Sequence, residues 1–186
     1  MILRSIRAVD AAGARVDVKR LTAARVRKTL LRVLLKNPLC ALSTVAAGNR
    51  AHVSPVYFAY SQSLDVYFLS HPDSLHCRNL KKNSTMAIAV FQSPQEWGAL
   101  DRGVQLFGSC REARGVEARN AERAYAARFK PYAQWKKEPG PDEAPGEYRF
   151  YRFVTRRLKL FDEREFGGAV FVTATVTGRA RAPRGR

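Results

Sequence analysis

The hydrophobic and polar positions of this chain predict one N-terminal helix followed by a strand-rich domain. Residues 19–36 carry a wide apolar stripe at helical spacing, and Asn37-Pro38 ends the pattern. We therefore predict an amphipathic helix over 19–36. Residues 1–18 show no comparable periodicity, and we predict a flexible, basic segment there.

Short apolar runs bounded by turn residues predict the strands. Gly48-Asn49 is typical of a two-residue hairpin turn, and Pro55 indicates a sheet edge or a bulge. Helices are predicted from Ser74 and over 115–129, and loops over 93–101 and 137–147. The predicted strands cover residues 39–46, 51–60, 66–70, 84–91, 102–113, 148–161 and 169–176.

Hairpin-connected strands of this number favour an antiparallel barrel or sandwich over a parallel α/β sheet. The expected fold class is mainly β with peripheral helices, built on six or seven strands. We predict one domain over 19–177 and a disordered Arg-rich tail over 178–186.

The net charge of +17 raises the question of nucleic-acid binding. Residues 1–36 carry a net charge of +8 and residues 178–186 carry +4, so the charge is concentrated at the ends of the chain. A solvated helix face and a flexible tail explain this distribution, and nucleic-acid binding through the basic termini stays an alternative.

The apolar runs and the cysteines indicate the cellular location that we expect for this protein. No apolar run reaches the ~20 residues that span a bilayer, and no secretory h-region is present near the N-terminus. The three cysteines show no paired spacing. Reduced thiols and a cytoplasmic protein without a membrane partner are therefore expected.

The segment 66–83, VYFLSHPDSLHCRNLKKN, carries the clearest candidate chemistry. A buried strand ends at Ser70, and a helix begins near Ser74 with His76 and Arg78 in its first turns. Free N–H groups and the dipole at a helix N-terminus favour an anion such as phosphate. Ser74 could equally be a plain N-cap. The His and Cys spacings match no metal motif, and no catalytic acid or base stands out.

Three pieces of the chain resemble the pyridoxamine 5'-phosphate oxidase-like FMN-binding split-barrel family. They are LSTVAAGNRAHVSPVYFAY, DVYFLSHPDSLHCRNLKKNSTMAIAVF and DRGVQLFGSCREA. The late RRLKLFDEREFGG is similar to the family's penultimate strand. The order and spacing of the pieces carry the resemblance, and they are closer to a branch separate from the true pyridoxamine phosphate oxidases.

The resemblance implies a homodimer that binds FMN across its interface, as an oxidoreductase of unknown substrate. Ser70, Ser74 and His76, with Arg78, would hold the FMN phosphate. Ser54 and Val56 would face the ribityl chain and the ring. Gln105 lies in the strand whose family counterpart offers a glutamine to the ring.

The chain departs from the family at the phosphate site. Leu75 and His76 stand where the oxidases place Arg and Lys, and SPVYFA replaces the R-x-V-L-L-K motif. Each charge-assisted hydrogen bond to phosphate contributes about 1.5–3 kcal/mol, so a lower FMN affinity is expected. A non-catalytic small-molecule or cofactor-binding module is therefore the second hypothesis, and pyridoxal phosphate synthesis is not expected.

Overall fold

A computed structural model describes residues 1–92, 96–140 and 144–177. In these ranges the strands are β1 (Ile2–Val9), β2 (Arg15–Val16), β3 (Leu39–Ala46), β4 (Arg50–Tyr60), β5 (Asp65–Ser70), β6 (Thr85–Phe91), β7 (Arg102–Glu112), β8 (Arg149–Asp162) and β9 (Phe171–Thr177). The helices are α1 (Ala23–Lys36), α2 (Leu75–Lys82), α3 (Val116–Arg128), α4 (Pro131–Lys137) and α5 (Glu163–Phe166).

The strands β3 to β8 close an antiparallel barrel, which confirms the predicted fold class. The neighbour order is β5-β4-β3-β6-β7-β8, and β8 pairs back with β5. β9, β1 and β2 extend the sheet outward from β8. The barrel encloses a core of large apolar side chains that includes Leu42, Phe58, Phe68, Ile88, Leu106, Phe153, Leu158 and Leu160.

The barrel is split between β4 and β5. These strands pair only where Phe58–Tyr60 of β4 faces Val66–Phe68 of β5. The earlier part of β4 pairs with β3 alone, and Pro55 lies there. A proline cannot donate to a sheet ladder, so the predicted edge position of Pro55 is confirmed.

The predicted flexible segment 1–18 is wrong at its start, because Ile2–Val9 forms strand β1. This strand pairs with β9 from Ile2 opposite Thr177 to Val9 opposite Phe171. Its apolar residues are irregularly spaced, so the sequence pattern does not reveal it. The predicted tail over 178–186 lies outside the described residues.

The start of α1 and the β3–β4 turn differ from the sequence prediction. Helix α1 begins at Ala23, since Oγ1 of Thr22 accepts a hydrogen bond from the N–H of Arg25 at 3.2 Å and caps the helix. The β3–β4 hairpin turns through three residues, Ala47–Asn49, with Gly48 at φ 70° and Asn49 at φ 57°.

Helix α3 covers the outside of the barrel and forms a second, smaller core with β4, β5 and β8. Its buried members are Ala59, Tyr67, Ala113, Ala121, Tyr125 and Phe150. None of the described helices is long and apolar enough to cross a membrane. The cytoplasmic location stays a prediction.

Candidate functional site

Three of the predicted residues meet at the junction of β5 and α2. Nε2 of His76 lies 2.8 Å from Oγ of Ser70 and 3.1 Å from Oγ of Ser74. The two hydroxyl oxygens are 3.2 Å apart. We call this group the Ser-Ser-His cluster. It is held in place because Ser70 ends a strand of the barrel and His76 is buried in the first turn of α2.

Ser74 occupies the N-cap position of α2, yet its side chain does not cap the helix. It contacts Ser70 and His76 instead. The first helical bond is the one from the N–H of Arg78 to the carbonyl of Ser74, at 2.9 Å. The N–H groups of the first turn therefore have no acceptor within the helix, and they point in the direction that suits an anion.

Burial lowers the pKa of His76, and the nearby His52 lowers it further. His52 lies on the facing part of β4, where its Nε2 is 3.1 Å from Oγ of Ser54. The Phe68 ring packs edge-on against His76 with the ring centres 6.0 Å apart. The imidazole of His76 is therefore neutral at pH 7, and the cluster carries no positive charge of its own.

Arg78 is the cation of α2 nearest to the cluster in sequence. Its guanidinium donates a hydrogen bond to the carbonyl of Asp73, the residue before Ser74. The same side chain lines a cavity of about 410 Å³ between α2 and the β3–β4 turn, together with Arg50 and Lys82. The guanidinium of Arg78 thus stands at the N-terminal end of α2, where it makes no hydrogen bond with the side chains of the cluster.

Helix α2 is fixed to the barrel by a buried polar contact. Nδ2 of Asn79 donates to Oγ1 of Thr44 on β3 at 3.1 Å. Both side chains are buried. A buried hydrogen bond between an amide and a hydroxyl specifies one orientation of the helix, and it thereby fixes the Ser-Ser-His cluster over the split.

The remaining predicted residues are only partly brought together. Ser54 faces the split beside His52, and Val56 on the same face packs against the barrel core. Gln105 pairs with Ala89, which pairs with Ala41, which pairs with Pro55. Paired residues share a sheet face, so Gln105 lies on the face opposite to that of Ser54.

Gln105 belongs to an exposed apolar face on β3, β4, β6 and β7. Four large side chains on this face, Leu39, Val53, Tyr57 and Phe91, are 46–60% exposed. The residues between them include Ala41, Ala87 and Ala89. We call this surface the apolar face. A contiguous apolar surface of this kind is typical of an interface with another chain.

His52 is the site residue that sequence reasoning missed. The pattern His52-x-Ser54 places both side chains on one face of a strand, which is the signal that could have identified it. Within the described ranges, no group of three or more His, Cys, Asp or Glu residues could hold a metal ion.

Comparison with known families identifies the family of this chain. Residues 26–154 match the family model named pyridoxamine 5'-phosphate oxidase. The chain belongs to that family. The resemblance seen in the sequence motifs is therefore confirmed. No curated protein matches the chain.

Solved structures show the same fold. A heme binding protein from Mycobacterium smegmatis has a TM-score of 0.63 at 18% identity, over 84% of this chain and 60% of that protein. ChuZ from Campylobacter jejuni has a TM-score of 0.63 at 15% identity, over 90% of this chain and 68% of that protein. A protein of the pyridoxinephosphate oxidase family from Clostridium acetobutylicum has a TM-score of 0.58 at 10% identity, over 81% and 96%.

Proposed function

We propose that this chain binds a flavin-type cofactor, with FMN as the first candidate, and works with it as an oxidoreductase in a homodimer. The observation that carries the proposal is the Ser-Ser-His cluster at the N-terminus of α2. Membership in the pyridoxamine 5'-phosphate oxidase family supports a flavin as the ligand.

The donors at the cluster fit a phosphate group. The hydroxyls of Ser70 and Ser74 can turn from Nε2 of His76 to a phosphate oxygen, and the first-turn N–H groups of α2 add backbone donors. A phosphate dianion would also favour the protonated form of His76, whose Nε2 would then become a third side-chain donor.

Positive charge is scarcer than in the oxidases that the family is named after. Arg78 is the cation that α2 holds at its N-terminal end, through the carbonyl of Asp73. Its side chain is exposed, and it would exchange the Asp73 carbonyl for a phosphate oxygen to reach a bound phosphate. We expect FMN to bind more weakly than it would to a site with several cations.

The apolar face supports the homodimer. A second copy would bury Leu39, Val53, Tyr57 and Phe91, and it would bring Gln105 of each chain to the interface. The ring of FMN would lie beside Ser54 and Val56, which face the split and not the apolar face. The bound flavin supplies hydride or electron transfer, and the chain binds it, orients it and excludes water from it.

An FMN titration of the full chain, followed by quenching of the flavin fluorescence, tests the proposal. Ser70→Ala and Ser74→Ala should each weaken FMN binding about fivefold or more, because each removes a hydrogen bond to the phosphate. Ser84→Ala is the matched control, since Ser84 is exposed. Protein that takes up no FMN would contradict the proposal and favour a non-catalytic binding module.

Haem is the second candidate ligand. His52 lies close enough to His76 to lower its pKa, and neutral imidazole is a ligand of haem iron. The heme binding protein from M. smegmatis shares the fold. Addition of haem to the purified chain distinguishes the two: a Soret band that His76→Ala abolishes would favour haem over FMN.

A further inference from the structure

A groove of about 1010 Å³ lies at the opposite end of β5 from the Ser-Ser-His cluster. Its charged lining comes from α1, β5, β7 and β8. β5 runs from Asp65 in the groove to Ser70 in the cluster, which is about 17 Å at 3.3 Å per residue. We call this groove the arginine groove. Its lining includes Arg27, Arg111, Arg152 and Arg156, together with Asp65 and Ser109.

Two of the four arginines are fixed by carboxylates. Nη2 of Arg152 lies 2.9 Å from Oδ2 of Asp65, and its Nη1 donates to Glu117. Nη1 of Arg111 lies 2.7 Å from the other oxygen of Glu117. These ion pairs hold the two guanidinium groups in one orientation, so they need little further ordering when a ligand binds.

The side chains of the other two arginines, Arg27 and Arg156, make no hydrogen bond or ion pair with any described residue. The groove and the carboxylates behind it therefore combine four guanidinium groups with Asp65 and Glu117. The net charge of +2 balances the charge of −2 on a phosphate dianion. Guanidinium groups match phosphate oxygens through paired N–H donors.

A β-bulge directs Arg156 to the mouth of the groove. Gly108 on β7 pairs with Thr155 and Phe107 pairs with Arg157, so Arg156 is the extra residue. A Cβ atom at Gly108 would lie 2.0 Å from the carbonyl oxygen of Val154, so the close approach at the bulge requires glycine. Bulges commonly redirect a side chain toward a site.

We propose that the arginine groove binds a small molecule that bears a phosphate group, at a site separate from the proposed flavin site. Arg27 and Arg156 bind the phosphate, and Arg152 and Arg111, whose charges are balanced by Asp65 and Glu117, form a fixed wall of the groove. Val154 and Val176 give the groove an apolar part for the organic portion of the ligand. Its volume is that of a small-molecule site.

Calorimetric titration of the full chain with phenyl phosphate, and separately with inorganic phosphate, tests this proposal. Arg27→Gln and Arg156→Gln, on two different elements, should each weaken binding about tenfold. Arg123→Gln is the matched control, because Arg123 is an exposed arginine of α3 outside the groove. Tighter binding of phenyl phosphate identifies an organic phosphate as the ligand, and equal affinity identifies free phosphate.

Unchanged affinity in both groove variants would overturn the proposal, as would an equal loss in Arg123→Gln. Displacement of phenyl phosphate by duplex DNA, through Arg27 and Arg156, would also overturn it and identify a nucleic-acid surface. The groove variants should leave FMN uptake unchanged. Ser70→Ala should leave unchanged the part of phosphate binding that Arg156→Gln removes. Failure here and failure of the flavin proposal are therefore distinguishable.

Discussion

At the scale of single residues, His76 connects the chemistry of the candidate site to pH. Its pKa lies below the usual 6.5 because of burial, with His52 adding to the effect. The free protein therefore holds His76 neutral, whereas a bound phosphate would favour its protonated form. Binding of FMN would then take up a proton at this residue.

We expect FMN affinity to increase as the pH is lowered from 8 toward 6, by up to about tenfold per pH unit. His76→Gln keeps a hydrogen-bonding side chain that does not titrate, so its residual pH dependence reports the phosphate of FMN alone. Fluorescence titrations across this pH range measure both. Identical pH profiles for the wild-type chain and the variant would exclude His76 from the phosphate site.

Gly108 is the residue whose replacement has the most direct steric consequence. An added Cβ would lie 2.0 Å from the carbonyl oxygen of Val154 and 3.2 Å from the Phe153 ring. Gly108→Ala should lower the free energy of unfolding by about 1–3 kcal/mol, since β7 and β8 must separate. Chemical denaturation measures this, with Gly146→Ala as the control because nothing lies within 4 Å of a Cβ there. Equal stabilities would contradict the described register.

At the scale of elements, Arg128 joins α3 to the end of α1. Its Nη2 donates to the carbonyls of Leu34 and Asn37 at 2.7 and 2.6 Å, and its guanidinium stacks on the Phe58 ring at 4.4 Å. The last carbonyls of a helix have no partner within it, so Arg128 acts as a C-terminal cap from another element.

Arg128→Met keeps most of the apolar side chain and removes these hydrogen bonds. We expect a loss of about 2 kcal/mol in the free energy of unfolding, because hydrogen bonds from a charged donor to partly buried carbonyls are lost. Arg123→Met, on the exposed side of the same helix, is the matched control. A loss no greater in Arg128→Met than in the control would show that α3 does not hold α1.

A second link joins α1 to α5 through charges. Nη2 of Arg32 lies 2.9 Å from both Asp162 and Glu165, and Asp162 is fully buried. The hydrogen bond from Arg32 lowers the pKa of Glu165 below the 4.5 of a free glutamate. The stabilisation from this pair is complete above about pH 4.5 and is lost as the pH falls through the lowered pKa.

Glu165→Gln should therefore destabilise the protein near pH 7 and have a smaller effect in acid. Denaturation at a series of pH values gives the difference between the variant and the wild-type chain, and we expect it to diminish below pH 4.5. Glu138→Gln, at an exposed position, serves as the control. A difference that is constant over the whole range would contradict the ion pair.

Most of the elements, but not all of their partners, could be predicted from the sequence. Strand β6 was identifiable because it is apolar on both faces, and α1 because of its stripe. Strand β1 was missed because its side chains leave no periodic signal and its partner, β9, lies at the other end of the described chain. Pairing between distant segments depends on the closure of the barrel, which no local pattern records.

In the candidate site too, some features follow from the local sequence and others depend on the pairing of distant strands. Ser70, Ser74 and His76 lie within seven residues, so the strand-to-helix junction predicted their proximity. His52 and Gln105 depend on the sheet register, which places the first beside the cluster and the second on the opposite face. The arginine groove draws on four elements, and no local pattern in the sequence indicated it.

At the scale of the whole molecule, the apolar face predicts self-association. Val53→Asp and Tyr57→Asp together should convert a dimer to a monomer, since each places a charge among apolar side chains. Light scattering during size-exclusion chromatography measures the mass. Val116→Asp is the control, because Val116 is 62% exposed on α3, away from this face. A variant that keeps the wild-type dimer mass would exclude the apolar face as the interface.

The most direct test of the central claim is the absorbance spectrum of the purified full chain, recorded before and after addition of FMN and removal of the excess. The account predicts flavin bands that stay with the protein and decrease in the Ser70→Ala and Ser74→Ala variants. A colourless protein after the addition, or flavin bands that persist unchanged in both variants, would contradict a flavin site at the β5–α2 junction.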